Sequence, residues 1–187
     1  MAVLKWLSIC LTLFCQGTAA SKPCRWTQFR LGKLNDVSID LLSDMGGLFP
    51  LMCAEENVEQ MFPEDLYKNT EGEDVSVVAL EAMRYVDQLY NNSLTPVTWN
   101  RTKLNMFQNV IYRQVQNLEL CMMGSVDTSD YLIRTEGLKT YFGNIAAVLK
   151  EKNFSYCAWE VVRKELLYSL QFILEHNSDS LLWANRT

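Results

Sequence analysis

Residues 141–165, YFGNIAAVLKEKNFSYCAWEVVRKE, read as the end of one helix, a tight connection at Asn153-Phe154-Ser155, and the start of another. Phe142, Ile145 and Leu149 recur at intervals of three and four, the period of a half-buried helix. Beyond the break Trp159, Val162, Leu166, Leu170 and Ile173 repeat that pattern, and Ser155 is placed to cap the new helix. Cys157 falls in the first turn, so a covalent link there pins the helix where it begins.

Working outward, the last helix is expected from Ser155 to about His176 and the one before it from about Asp130 to Lys152. Upstream, Leu104, Phe107, Ile111, Val115, Leu118 and Met122 mark a third helix that ends at Gly124. Val75, Val78, Ala82, Val86 and Leu89 mark a second, from Asp74 to Tyr90, broken by the stretch containing Pro96. Trp26, Phe29, Leu34, Val37, Leu41 and Met45 mark the first, which stops at Gly46-Gly47. The connection from there to about Glu73 is far longer than usual, and is either functional or a crossover between distant ends. No run of alternating β-branched residues is visible, so the fold class is all-α.

The first twenty residues stand apart. Lys5 gives a positive start, Trp6 to Cys15 an apolar run too short to span a bilayer, and Thr18-Ala19-Ala20 a small-residue cleavage site. Residues 1–20 are read as a signal peptide and residues 21–187 as one helical domain, secreted and extracellular. Removing Lys5 from the 17 basic residues leaves 16 against 22 acidic ones, a net charge of −6. That balance argues against nucleic acid as a partner, and no membrane insertion is expected. N-x-S/T sequons stand at Asn91, Asn100, Asn153 and Asn185; glycans are expected at Asn91 or Asn100 before Asn153.

Short links make the last three helix pairs antiparallel, and the long first link permits helices one and two to run parallel. Helices one, two, three and five then form an up-up-down-down bundle, with the fourth lying in the crossover. Cleavage leaves Cys24, Cys53, Cys121 and Cys157, which in an oxidising compartment read as two disulfides. In this topology Cys24 and Cys121 share one pole, and Cys53 and Cys157 the other. A helix of about 20 residues is about 30 Å long, while bridged Cα atoms sit about 5.5 Å apart. Only the pairing Cys24–Cys121 with Cys53–Cys157 survives.

Catalysis finds little support. None of the common catalytic or nucleotide-binding motifs occurs, and His176, the one histidine, sits near a helix end where the dipole accounts for it. Glu55-Glu56 and Glu71, Glu73 and Asp74 read as solvated charge rather than a cation site. No metal, cofactor or enzymatic activity is expected. The outer surface of the last helix says more. Lys164, Tyr168 and Gln171 face away from the core stripe, with Arg163 and Leu167 at its border. Val161 and Phe172 also fall outside it, covered by the fourth helix or free for a partner. This mixture of aromatic, apolar and basic groups suits an interface. As border and surface residues, Arg163 and Lys164 are expected to tolerate exchange for Glu without loss of the fold.

The Cys157-Ala158-Trp159 block, with Tyr141-Phe142 upstream, EVVRKE downstream, four cysteines and Phe62-Pro63 after Cys53, resembles the type I interferons over nearly the whole mature chain. The spacing is similar to four-cysteine members, and the flanking sequence points to fish. The resemblance implies a helical cytokine bundle and a secreted antiviral cytokine. Such a molecule bridges two class II cytokine receptor chains, the type I interferon receptor, and starts JAK–STAT signalling; a monomer is expected. Matching positions for one receptor chain are Arg163, Lys164, Leu167, Tyr168 and Gln171, with Ala54 and Asn57 in the loop after Cys53. Asn57 stands where mammalian relatives have an arginine. Lys139 matches a basic contact for the other chain. Alternatives are a type III interferon, another class II helical cytokine, or a secreted carrier of an apolar ligand.

Overall fold

The computed structural model contains five long helices: α1 Gly32–Gly46, α2 Glu73–Asn91, α3 Arg101–Met122, α4 Thr128–Glu151 and α5 Tyr156–Ala184. A 3-10 segment, Leu51–Glu56, and a single helical turn, Asp65–Lys68, punctuate the long connection between α1 and α2. The structure describes residues 30–57, 62–68, 73–91, 94–96, 98–122 and 128–184, and no strand occurs among them. Residues 1–20, Cys24, Trp26, Phe29 and Asn185 lie outside the described residues, as do the side chains of Val75 and His176. Helix α5 runs eight residues past His176, the end expected from the sequence.

Hydrogen bonds between helices fix their directions. The Asn100 N–H, just before α3, donates to the Met45 carbonyl at the end of α1 (3.0 Å). Farther along the same pair, Gln114 Nε2 donates to Ser38 Oγ (3.0 Å), so α1 and α3 are antiparallel. Arg163 Nη2 reaches the Gly47 carbonyl (2.8 Å) and Asn35 Nδ2 the Leu170 carbonyl (2.7 Å), so α1 and α5 are antiparallel too. Gln108 Nε2 donates to the Tyr90 carbonyl (3.2 Å) and Arg84 Nη2 to Glu119 Oε1 (2.8 Å), which sets α2 against α3. Helices α1 and α2 are therefore parallel to each other, as are α3 and α5, and the topology is up-up-down-down. Helix α4 packs against both α2 and α5, with Tyr85 and Phe142 stacked at 5.2 Å.

The inward faces of α2, α3 and α5 follow the sequence pattern: Val78, Ala82, Val86, Phe107, Ile111, Leu118, Trp159, Leu166 and Leu170 are all buried. Helix α1 departs from it. Leu34 and Val37 are half-buried, whereas Asn35 and Ser38 are fully buried beside Leu41, Leu42 and Met45. The reason is position. Helix α1 lies between α3 and α5, and its polar strip finds partners on both: the Leu170 carbonyl on α5 and Gln114 on α3. The amide nitrogens of Asn35 and Gln114 are satisfied in this way, whereas Asn35 Oδ1 and Gln114 Oε1 find no partner among the described residues, so the strip carries a desolvation cost.

The α4–α5 connection is as tight as its sequence suggests. Asn153 (φ 48°) and Phe154 (φ 54°) adopt left-handed conformations, and the Phe154 N–H reaches back to the Leu149 carbonyl (2.8 Å). This satisfies the last carbonyls of α4 in the manner of a left-handed helix stop. Ser155 Oγ accepts from the Ala158 N–H (3.2 Å), the cap expected for α5.

The Cys53–Cys157 disulfide, with Cα atoms 5.1 Å apart, fastens the 3-10 segment to the first turn of α5. Cys121 is disulfide-bonded as well; its expected partner, Cys24, lies outside the described residues. Further on, Phe62 packs edge-on against Tyr141 of α4 (5.2 Å) and Phe172 of α5 (5.5 Å). The loop therefore covers Phe172, and Val161 is buried too. Gly137 permits this approach, since a Cβ there would stand 3.2 Å from Leu66 and 3.5 Å from Pro63.

The disulfide closes a loop of 104 residues in separation. Replacing Cys53 and Cys157 by Ser is expected to cost about 2–5 kcal/mol, read as a lower urea midpoint with most helicity retained in the absence of denaturant.

Candidate functional site

Two layers meet where the loop after α1 crosses the start of α5, and the inner one is a buried charge pair. Glu160 and Arg163, one turn apart on α5, are 0% and 2% exposed. Arg163 Nη2 and Nε both donate to a single oxygen, Glu160 Oε2, at 2.6 and 3.1 Å. Trp99 Nε1 donates to the other carboxylate oxygen at 2.6 Å. The remaining guanidinium hydrogens go to the carbonyls of Leu42, Ser43 and Gly47, at 3.3, 3.4 and 2.8 Å. Arg163 thus caps α1 with a positive charge at its negative end.

This corrects the expected placement of Arg163 at the border of the exposed face. The glycine pair shows why the chain can bury it. A Cβ on Gly46 would lie 2.5 Å from Arg163 Nε, and Gly47, with φ 71°, turns the chain away as its N–H bonds the Ser43 carbonyl. Above the pair, Trp99, Trp159 and Tyr90 form a ring cluster with centroids 5.3–6.4 Å apart. Trp159 Nε1 donates to the Leu94 carbonyl (2.6 Å), holding the α2–α3 link in place. Burial pushes the Tyr90 hydroxyl well above the usual phenol range; Arg163 opposes that shift and Glu160 adds to it.

The outer layer is the surface expected from the helical register. Tyr168 and Gln171 are exposed, and Lys164 and Leu167 half-buried. Lys164 Nζ donates to Asn57 Oδ1 (3.0 Å) and lies 3.9 Å from Glu165. The Tyr168 hydroxyl donates to Glu64, just past Phe62-Pro63, and Lys152 Nζ holds Glu56 at 2.9 Å. Ala54 is exposed and Asn57 half-buried. The structure therefore brings Lys164 and Tyr168 together with the loop, while Leu167 packs beside them against the core. Lys139 is not part of this surface; it is exposed on α4, 3.4 Å from Glu136.

The sequence reading missed three groups beside the disulfide. Leu48, Leu51 and Met52 are 94%, 91% and 78% exposed. Apolar side chains around Pro50, immediately before a cysteine and outside any helical stripe, were the available signal. Among the described residues no cluster of side chains could hold a metal ion, and no helix is long and apolar enough to cross a membrane.

A family model for the interferon alpha/beta domain matches residues 27–179. The chain belongs to the type I interferon family. Interferon a3 of Oncorhynchus mykiss is 29% identical over 170 residues, 89% of this chain and 91% of the relative. Human interferon omega-1 is 28% identical over 176 residues, 91% and 90% of the two chains. The solved structure of zebrafish interferon 2 superposes with a TM-score of 0.69 at 35% identity, covering 77% of this chain and 97% of that one. Zebrafish interferon 1 (TM-score 0.68, 23% identity) shares the fold. Interferons are cytokines, not enzymes, which agrees with the lack of catalytic motifs.

Two outcomes follow from the buried pair. Arg163→Ala strands the Glu160 carboxylate and uncaps α1, so it should cost about 3–5 kcal/mol, whereas Lys164→Glu, at the surface, should cost under about 1 kcal/mol. Urea unfolding of both variants checks this. Tyr90 and Tyr141 are both raised above the ordinary phenol value by burial. Their contribution to stability is complete below about pH 10, where the unfolded phenol begins to ionise, and declines above it. Melting curves from pH 8 upward should be flat and then fall beyond about pH 10.

Proposed function

We propose that the chain is a secreted antiviral cytokine that binds a two-chain class II cytokine receptor at the cell surface and triggers JAK–STAT signalling. The observation that carries this reading is the composite surface of α5 and the loop, tied together by the Cys53–Cys157 disulfide on an interferon-family bundle. Lys164, Leu167, Tyr168 and Gln171, with Ala54 and Asn57, form the face for one receptor chain. Exposed Leu51 and Met52 in the adjoining 3-10 segment extend it. Aromatic and apolar anchors ringed by polar groups suit a protein interface, and the half-exposed ammonium of Lys164 suits an acidic partner. Because the loop is already held against α5, little ordering entropy is lost on binding. Arg163 acts from beneath, through the end of α1, rather than as a contact. Lys139 on α4 serves the second receptor chain. Secretion rests on residues 1–20 read as a cleaved leader and on the family.

The test applies purified protein to cells of the source animal and records STAT phosphorylation and antiviral gene induction, with each receptor chain present or deleted. Lys164→Glu combined with Tyr168→Ala should keep its helicity and melting temperature. Binding to the high-affinity chain should weaken by about 2 kcal/mol, roughly 30-fold, and signalling should fall with it. A folded double variant that binds and signals like the parent would remove α5 from the receptor face.

A further inference from the structure

We propose that Met52 is an oxidation switch on the receptor face: conversion of its thioether to the sulfoxide weakens binding while the fold stays intact. The inference rests on the receptor reading above. Five methionines fall among the described residues, and their surroundings differ. Met45 and Met83 are buried, 3% and 0% exposed, and Met122 is half-buried against the core. Met52 and Met106 are 78% and 51% exposed. A thioether reacts with a dissolved oxidant only where the two can meet, so these two sulfurs react first. The Cys53 and Cys157 sulfurs, already joined, lie beneath the surface.

The two exposed methionines stand in different settings. Met52 lies in the 3-10 segment, and its apolar neighbours Leu48 and Leu51 are more exposed still. Polar groups border them, with Glu55 exposed, Glu56 held by Lys152 and Asn57 held by Lys164. The backbone of the segment does not depend on the Met52 side chain. The Cys53 N–H donates to the Pro50 carbonyl (2.9 Å) and the Asn57 N–H to the Ala54 carbonyl (3.2 Å), and the disulfide fastens the segment to α5. Met106 sits on α3, across α1 from α5. It undergoes the same chemistry away from the face and serves as an internal control.

The oxidant is a peroxide, of which hydrogen peroxide is the simplest. A lone pair on the Met52 sulfur attacks one peroxide oxygen and forms the S–O bond. The O–O bond breaks, and the departing hydroxide takes the electron pair, then the proton of the transferred oxygen, and leaves as water. Sulfur is oxidised by two electrons and the peroxide is reduced by two. A methionine sulfoxide reductase reverses the step, taking two electrons from a dithiol and releasing the oxygen as water. The sulfoxide replaces a polarisable apolar group, suited to an adaptable contact, with a strong dipole and a hydrogen-bond acceptor. In the free protein water solvates that dipole. An apolar partner surface strips the water without returning a hydrogen bond, so the cost falls on binding and not on folding.

The experiment treats the folded, disulfide-bonded protein with hydrogen peroxide and maps the oxidised peptides by mass. Binding to the soluble ectodomain of the high-affinity receptor chain is measured before and after. Met52 and Met106 should each gain one oxygen before Met45 and Met83 do. Helicity and melting temperature should hold while binding weakens about tenfold. Met106→Leu should lose affinity on treatment as the parent does, whereas Met52→Leu, whatever affinity it starts from, should keep it. Early oxidation of the buried methionines, or an oxidised Met52 with unchanged binding, overturns the proposal. So does an equal loss of affinity in treated Met52→Leu. Untreated protein that binds neither receptor chain sinks the receptor reading, and the switch with it.

Discussion

One guanidinium holds together the pole at which the loop after α1 meets α5. Arg163 joins three segments that the chain order keeps far apart: the end of α1, the α2–α3 link through Glu160 and Trp99, and α5 itself. A buried ion pair is often no better for stability than a well-packed apolar pair of the same volume. Its value here is directional. Helix α1 must stop at a fixed place, because six residues past Gly47 the chain has to deliver Cys53 to Cys157. Carbonyl acceptors at the helix end and a planar five-donor fork specify that stop in a way that apolar contact does not.

The outer layer depends on the inner one. Once α1 ends where it does, the 3-10 segment Leu51–Glu56 lies along the first turns of α5, and three unlike links keep it there: a disulfide, the Lys152–Glu56 ion pair and the Lys164–Asn57 hydrogen bond. The two polar links are partly exposed and individually weak. Phe62 then closes the far end of the loop over Tyr141 and Phe172. The face is thus a property of packing between distant segments rather than of a single helix.

That division explains what could be read in the sequence. The helices of the core were legible because Leu, Ile, Val and Phe at intervals of three and four leave a periodic mark. So was the outward register of Lys164, Tyr168 and Gln171, which follows from the same period. Arg163 was not. A charged side chain one step from the core stripe reads as surface, and its burial needs carbonyls more than 115 residues away in sequence. Asn35 and Ser38 leave no mark in the sequence for the same reason, since their partners Leu170 and Gln114 sit 135 and 76 residues away. The spacing of Glu160 and Arg163, read together with Gly46-Gly47, held the one local hint. Phe172 was left between a covered and a free reading because the residue that covers it, Phe62, belongs to a loop without a period.

The Cys53–Cys157 bridge has a consequence for how the chain meets a protease. It makes a closed covalent ring of everything from the 3-10 segment to the start of α5, so α2, α3 and α4 all lie within it. A protease that cuts once in that ring, for instance in the links on either side of α3, produces a nick and not two separate pieces. The nicked protein still has its loop fastened to α5. A single cut inside the ring therefore leaves the loop and the first turn of α5 covalently joined until the bridge is reduced.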